Sequence, residues 1–262
     1  MIYAKEIIGV IENSSANALK MYCQENKQWV VRFKKKEKNA KRLFNEYFAG
    51  LLCQDLNIPR PKVEIIELSD SVLCRLDSSL FDCSAKYGVA TAFLPNICPV
   101  APPVDYDLPS YEKINNKVHL QNIFGGDYNF GDFYGFRVFA DWIFLEDKHK
   151  YENLFIDENN VPLFLDLDFV FMGPGFDELP DRYQFYQCLR SIPFCDGLIT
   201  DINLIEFWLD KIAMLNRNKF DNILECLPED WQIPDDYKER LMRLLFDNFH
   251  NFREELIYSF SC

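Results

Sequence analysis

Three polar side chains in one stretch of the chain have the types and the order that phosphoryl transfer from a metal-bound nucleotide requires. Asp147 comes first, Asn153 follows, and Asp166 ends the next pair of apolar runs. In this chemistry one carboxylate orients the acceptor hydroxyl or receives its proton, while an Asn and a second Asp hold the metal that neutralises the phosphates. We therefore predict that Asp147 is the catalytic carboxylate and that Asn153 and Asp166 are magnesium ligands.

Two short apolar runs must place these side chains. Leu154-Phe155-Ile156 predicts one strand and Leu163-Phe164-Leu165 its partner, so we expect a hairpin over residues 153–166. Asp168 is an alternative to Asp166 as the metal ligand, because residues two apart lie on the same face of an extended chain.

Composition limits the classes of protein to which the chain can belong. Its 262 residues suffice for one large domain or two lobes with a core, and its net charge of −13 argues against general nucleic-acid binding. The 9 Cys form no Cys-x-x-Cys pair and there are only 3 His, so zinc-ligand spacing is absent. No charge-free apolar run reaches the ~20 residues of a membrane span, and residues 1–15 lack signal-peptide features. We expect a soluble, cytoplasmic protein without membrane contact.

Strand and helix patterns divide the chain into two parts. Residues 1–95 predict a β-rich small lobe, and residues 96–262 predict a mainly helical large lobe that carries the catalytic and metal-binding loops. The predicted strands are near 5–11, 17–23, 28–34, 62–68 and 71–76 and in the run YGVATAFLP. The predicted helices are 38–56, 111–123, 131–146, 182–190, 201–216, 218–226 and 235–257. The expected fold class is α+β, with the bilobal order of a protein-kinase-like fold.

The stretch around Asp147 resembles HipA-like kinases, especially their compact single-chain branch. The family pattern is F-x-x-W-x-x-N-x-D-R-H-x-x-N, followed by two strands that end in I-D-x-x-x-A-F. The residues that follow this pattern are Phe139, Trp142, Asp147, Lys148, His149, Asn153, Leu165, Asp166 and Phe171. Leu145 replaces the usual Asn, and the gap from Asp147 to Asn153 is one residue longer than in the pattern. The spacing in sequence from Asp166 to Phe171 matches the family pattern, which favours Asp166 over Asp168 as the metal ligand.

The resemblance extends into the β-rich part and implies a nucleotide site there. The segment from Glu12 to Asn17 stands where the family has the loop over the phosphates, so Asn13, Ser14 and Ser15 would contact them. WVVRFK resembles YVVKF, which puts Arg32 in the place of the phosphate-holding Lys. Asn45-Glu46-Tyr47 resembles N-E-Y, so Glu46 would pair with Arg32. The runs LCQDLNIPRPKVEIIEL and LPEDWQIP also resemble family motifs.

Strand periodicity agrees with this assignment. Alternation would place Val30 over the adenine and Arg32 toward the phosphates, and would send Trp29, Val31 and Phe33 into the core. Lys34 is the alternative to Arg32 as the phosphate-holding cation.

The resemblance implies an ATP- and Mg²⁺-dependent phosphotransferase whose acceptor is a protein Ser/Thr hydroxyl. Two alternatives stay open. One is a pseudokinase, a nucleotide-binding or interaction module without turnover, which is supported by Arg32 in place of Lys and by the longer Asp147–Asn153 gap. The other is a small-molecule kinase of similar fold. The implied partners are ATP and an acceptor that no motif identifies.

Overall fold

The computed structural model describes residues 1–11, 18–36, 38–102, 116–125, 128–145, 151–171, 173, 175–176, 179 and 198–261. The described chain is a mixed α+β structure. Strands dominate its first part, and helices dominate the rest.

Five strands of the first part close into a sheet in the order β1-β2-β3-β5-β4. Their bounds are β1 Ile2–Val10, β2 Leu19–Cys23, β3 Gln28–Arg32, β4 Val63–Glu67 and β5 Tyr87–Ala92. Neighbouring strands are antiparallel except β1 and β4, which pair in parallel through Ile2 and Ile66. Alternate side chains, such as Met21 and Val31, are fully buried inside the closed sheet. This alternation leaves the other face of β3 free to line a site.

Helix α1 (Lys41–Leu56) connects the sheet to the rest of the molecule. It ends at Asn57, whose left-handed φ of 57° and backbone N–H bonds to the carbonyls of Cys53 and Gln54 close the last turn. The predicted helix 38–56 is therefore confirmed, with a slightly later start. Its Phe44 and Phe48 belong to the same core as the later helices. Helix α1 therefore packs against the helical part, although in sequence it lies between β3 and β4 of the sheet.

The strand predicted at 71–76 is wrong. The chain forms a short helix there, α2 (Asp70–Leu73). Ser69 and Asp70 are residues that favour a helix start, and the carbonyl of Ser69 accepts bonds from the N–H groups of Val72 and Leu73. Only Val72 and Leu76 of this run are buried, so a turn of helix satisfies the packing that the apolar pattern indicated.

The second part contains a small sheet and most of the helices. The strands β6 Cys98–Pro99, β7 Leu154–Ile156 and β8 Pro162–Phe164 are antiparallel, and the predicted hairpin is present. The helices are α3 Asn116–Phe124, α4 Gly131–Trp142, α5 Ile202–Ala213, α6 Arg217–Glu225, α7 Asp235–Met242 and α8 Phe249–Ser261. A π-helical turn at Arg243–Asp247 divides the helix predicted at 235–257.

The larger core unites α1 with these helices through aromatic packing. Phe48, for example, contacts Phe171 and Phe220 at centroid distances of 6.1 and 5.7 Å. The helix predicted at 182–190 lies outside the described residues. Within the described ranges, no helix has both the length and the apolar character needed to cross a bilayer.

Candidate active site

A cleft of ≈ 950 Å³ lies between the closed sheet and the β7–β8 hairpin. Five residues predicted for the site line it together: Val30, Arg32, Glu46, Asn153 and Asp166. They come from β3, α1 and the two ends of the hairpin. The fold thus brings into one cavity side chains that are far apart in sequence.

The other predicted site residues, Asn13, Ser14, Ser15 and Asp147, lie outside the described residues. Ile11 and Ala18, which flank the predicted phosphate loop in sequence, line the cleft. The roles predicted for the loop and for Asp147 therefore remain predictions.

Arg32 lines the cleft and pairs with two carboxylates. Its Nη1 lies 3.0 Å from Oε2 of Glu46, and its Nη2 lies 2.9 Å from Oδ1 of Asp166. Trp29 and Val31 on the same strand are buried inside the sheet, as the alternation predicted. Burial alone would lower the pKa of Arg32, but the neighbouring carboxylates outweigh it and raise the pKa, so the guanidinium stays charged.

The alternative cation, Lys34, has a different environment. Its Nζ lies 3.1 Å from Oδ2 of Asp82, and Lys34 is not among the residues that line the cleft. Of these two basic residues of the chain, Arg32 is the one that faces the cavity.

Glu46 is almost completely buried, and both of its carboxylate oxygens have polar partners. Its Oε1 accepts a hydrogen bond from Nη2 of Arg60 at 2.8 Å, and its Oε2 accepts one from the backbone N–H of Leu167 at 2.8 Å. Burial would raise the pKa of Glu46, but Arg32 and Arg60 more than offset that and lower it. Glu46 is therefore a fixed anion between two guanidiniums.

Sequence reasoning missed Arg60. Its side chain is 1% exposed and lies between Pro59 and Pro61, in the turn that follows α1. The signal was present in the run NIPRPKV, where a basic residue between two prolines is held in a rigid turn.

Asp166 and Asp168 differ in environment, although they are two residues apart. The chain is not extended here, because Asp166 has a left-handed φ of 58°. Asp166 lines the cleft with a side chain that is 30% exposed, whereas Asp168 is 3% exposed and its Oδ2 lies 2.9 Å from Nη2 of Arg42. Burial raises the pKa of Asp168 to about 7, and the Asp166 charge adds to that shift. Asp166 is thus the more accessible of the two carboxylates.

Arg42 is a second residue that sequence reasoning missed. It lines the cleft, and its guanidinium lies 4.2 Å from the centre of the Phe169 ring. Within the described residues, the connected charges of the site are three carboxylates and three guanidiniums: Glu46, Asp166, Asp168, Arg32, Arg42 and Arg60. A cation that binds Asp166 would compete with Arg32 for the same carboxylate and would leave that guanidinium available for an anion.

The donor set fits a divalent cation of the magnesium type. The carbonyl of Asn153 accepts a hydrogen bond of 2.9 Å from the N–H of Leu165, which places Asn153 beside the residue preceding Asp166. Carboxylate and amide oxygens suit Mg²⁺ or Mn²⁺. In the part of the chain that the structure describes, no group of three or more His, Cys, Asp or Glu forms a closed metal cage.

Apolar side chains also line the cleft. Val30, Ile11 and Ala18 line it, together with the run from Thr91 to Pro95 at the end of β5 and directly after it. The Phe93 ring there packs against Nζ of Lys20, 3.7 Å from the ring centre. A cleft that combines apolar and charged side chains has the chemistry to bind a flat base with attached phosphates.

Comparison with known proteins identifies the fold. No family model matches the sequence, and no curated protein matches it either. Among solved structures, the proinflammatory kinase CtkA of Helicobacter pylori has a TM-score of 0.54 at 14% identity, covering 100% of this chain and 97% of that one. The Golgi casein kinase with Mn/ADP bound has a TM-score of 0.53 at 10% identity, covering 97% and 73%.

HipA of Shewanella oneidensis MR-1, solved with HipB and operator DNA, has a TM-score of 0.50 at 12% identity, covering 96% of this chain and 66% of that one. The protein therefore has a kinase-like α+β fold. The resemblance to HipA-like kinases that the motifs predicted is confirmed at the level of the fold.

Proposed function

We propose that this chain is an ATP- and Mg²⁺-dependent phosphotransferase with two lobes that meet near residue 95, acting on a protein Ser/Thr hydroxyl. The observation that carries the proposal is one cleft that is lined by Val30, by the ion pair of Arg32 with buried Glu46, and by Asn153 and Asp166. The kinase-like fold and a neighbour solved with Mn/ADP support it.

The residues that line the cleft would contact different parts of the nucleotide. Val30 packs against the adenine, and Asn13, Ser14 and Ser15 contact the phosphates from the loop between β1 and β2. Arg32, oriented by Glu46, holds the phosphates in line. Asn153 and Asp166 hold the divalent ion, which when bound neutralises charge on the transferring phosphoryl group.

Asp147 would act on the acceptor. Its carboxylate orients the acceptor hydroxyl and takes its proton as the oxygen bonds to the γ-phosphorus and the bond to the ADP oxygen breaks. This role needs Asp147 at the end of the cleft that Asp166 occupies. Its place in sequence, between α4 and the turn that carries Asn153, supports such a position.

The test is transfer of labelled phosphate. The protein is incubated with Mg²⁺ and ATP labelled at the γ-position, with mixed protein acceptors, and compared with the Asp147→Ala variant. We expect label on protein only with the wild type. If the wild type transfers no label although it binds ATP, the phosphotransferase proposal is wrong.

A pseudokinase is the second candidate, and the contact between Arg32 and Asp166 favours it. An Arg is always charged, and here it occupies the carboxylate proposed for the metal. In a pseudokinase the nucleotide would bind without transfer, and Asp147→Ala would change nothing.

A further inference from the structure

Helix α1 contacts the segment that follows Asp166 through polar side chains on one face. Lys41 and Asn45 are one helical turn apart, and Glu46 is adjacent. The amide Nδ2 of Asn45 donates to the backbone carbonyls of Asp168 and Val170, at 2.9 Å each. The Nζ of Lys41 donates to the carbonyl of Phe171 at 3.0 Å and also to that of Gly175. Four backbone carbonyls after Asp166 are thus bound by two side chains.

The segment needs such support because its backbone is unusual. Asp166 and Phe171 both have left-handed φ angles, 58° and 54°, which are unfavourable for residues with a side chain. No helix or strand includes the residues between them. Conformations of this kind persist only when the surrounding structure holds them. Asn45 and Lys41 restrain the backbone from Asp168 onward through their hydrogen bonds. Directly after Asp166, the N–H of Leu167 donates to Glu46 and restrains the backbone there.

The burial of Lys41 and Asn45 indicates that their role is hydrogen bonding and not apolar packing. Lys41 and Asn45 are both 0% exposed. A buried amide or ammonium costs free energy unless partners satisfy it, so packing alone would be served better by apolar residues. An apolar side chain at either position would keep the helix but would leave buried carbonyls of the segment without donors.

From these contacts we infer that Lys41 and Asn45 are positioning residues for the metal-binding carboxylate of Asp166. They fix the backbone from Asp168 to Phe171, so that Asp166 keeps its left-handed conformation and presents its carboxylate to the cleft. The inference rests on the proposed function, since it assigns the metal to Asp166.

The test compares ADP binding with and without Mn²⁺ by calorimetry. The variants are Asn45→Leu and Lys41→Met, which remove the side-chain donors, and Lys41→Arg, which keeps a charged donor group at that position. Leu52→Ala is the matched control, because Leu52 is a buried apolar residue of the same helix. Residues that orient metal ligands typically contribute about 10- to 100-fold in metal affinity. We expect the gain in ADP affinity on adding Mn²⁺ to fall about tenfold or more in Asn45→Leu and Lys41→Met.

The other measurements separate positioning from general stability. Metal-free ADP affinity should match the wild type in all variants, and Lys41→Arg should restore most of the Mn²⁺ gain. Leu52→Ala should unfold at a lower temperature yet keep that gain. If folded Asn45→Leu and Lys41→Met keep the wild-type gain, the inference is wrong.

Failure of a variant to fold and failure of the wild type to bind ADP are interpreted separately. If Asn45→Leu does not fold, the comparison of Lys41→Met with Lys41→Arg tests the inference. An equal gain in ADP affinity on adding Mn²⁺ in these two variants would overturn it. If the wild type binds ADP neither with nor without Mn²⁺, the proposed function itself fails, and the inference with it.

Discussion

The guanidinium of Arg32 lies 2.9 Å from the carboxylate of Asp166, although 134 residues separate the two in the chain. The other arm of the same guanidinium reaches Glu46 at 3.0 Å, so one side chain joins β3, α1 and the loop after β8. Glu46 is held independently by Arg60 and by the N–H of Leu167. A cation bound to Asp166 would therefore free one arm of Arg32 for a phosphate while the other arm stays fixed.

Arg32→Ala should lower kcat/KM for ATP tenfold or more, which corresponds to about 1.4 kcal/mol. Arg32→Lys should retain activity or raise it, because an ammonium can still reach phosphate while releasing Asp166 more readily than a forked guanidinium. Steady-state kinetics with varied ATP measures both.

Lys34→Ala is the matched control for Arg32, since Lys34 pairs with Asp82 and does not line the cleft. It should leave kcat/KM unchanged. A silent Arg32→Ala combined with an inactive Lys34→Ala would reverse the assignment.

Glu46→Gln should destabilise the fold by about 3–5 kcal/mol at neutral pH, because it leaves the buried guanidinium of Arg60 without its carboxylate and removes one of the two carboxylates of Arg32. The lowered pKa of Glu46 means that its contribution is present above the ordinary value of 4.5 and is lost as the pH falls through the lower folded value. The difference in unfolding free energy between wild type and variant, measured in urea, should therefore shrink as the pH is lowered below 4.5.

Glu239→Gln, on the exposed side of α7, should change stability little at any pH. A Glu46→Gln penalty that stays constant from neutral to acid pH would show that the carboxylate charge is not what stabilises the site.

Asp147→Asn should abolish phosphoryl transfer while leaving ATP affinity within a few fold, because the role of Asp147 lies with the acceptor and not with the nucleotide. Transfer of labelled phosphate and ATP binding are measured on the same preparation. Wild-type turnover by the variant would mean that another group handles the acceptor proton.

Local patterns predicted much of this architecture. Alternation at Trp29 and Val31 located the inner face of β3, and the two apolar runs after Asn153 located the hairpin. The helix from Lys41 to Leu56 followed from its wide apolar stripe. These features depend on neighbours in sequence, which periodicity can detect.

Long-range contacts were beyond such patterns. The prolines on either side of Arg60 indicate a rigid turn, but only the fold shows that Arg60 reaches Glu46 and that Arg42 reaches Asp168. The run at 71–76 looked β-prone because Val, Leu and Cys fit strands as well as short buried helices. The equivalence of Asp166 and Asp168 assumed an extended chain, which the left-handed backbone at Asp166 breaks.

The most direct test of the account is the thermal unfolding midpoint with ATP alone and with ATP plus Mg²⁺, in the wild type and in Asp166→Asn. A ligand at a hundredfold its dissociation constant stabilises the native state by about 2.7 kcal/mol. We predict that the midpoint of the wild type rises with ATP, rises further when Mg²⁺ is added, and that the second rise is lost in Asp166→Asn. No shift in the wild type at millimolar ATP and Mg²⁺ would contradict the claim that this cleft binds a metal nucleotide.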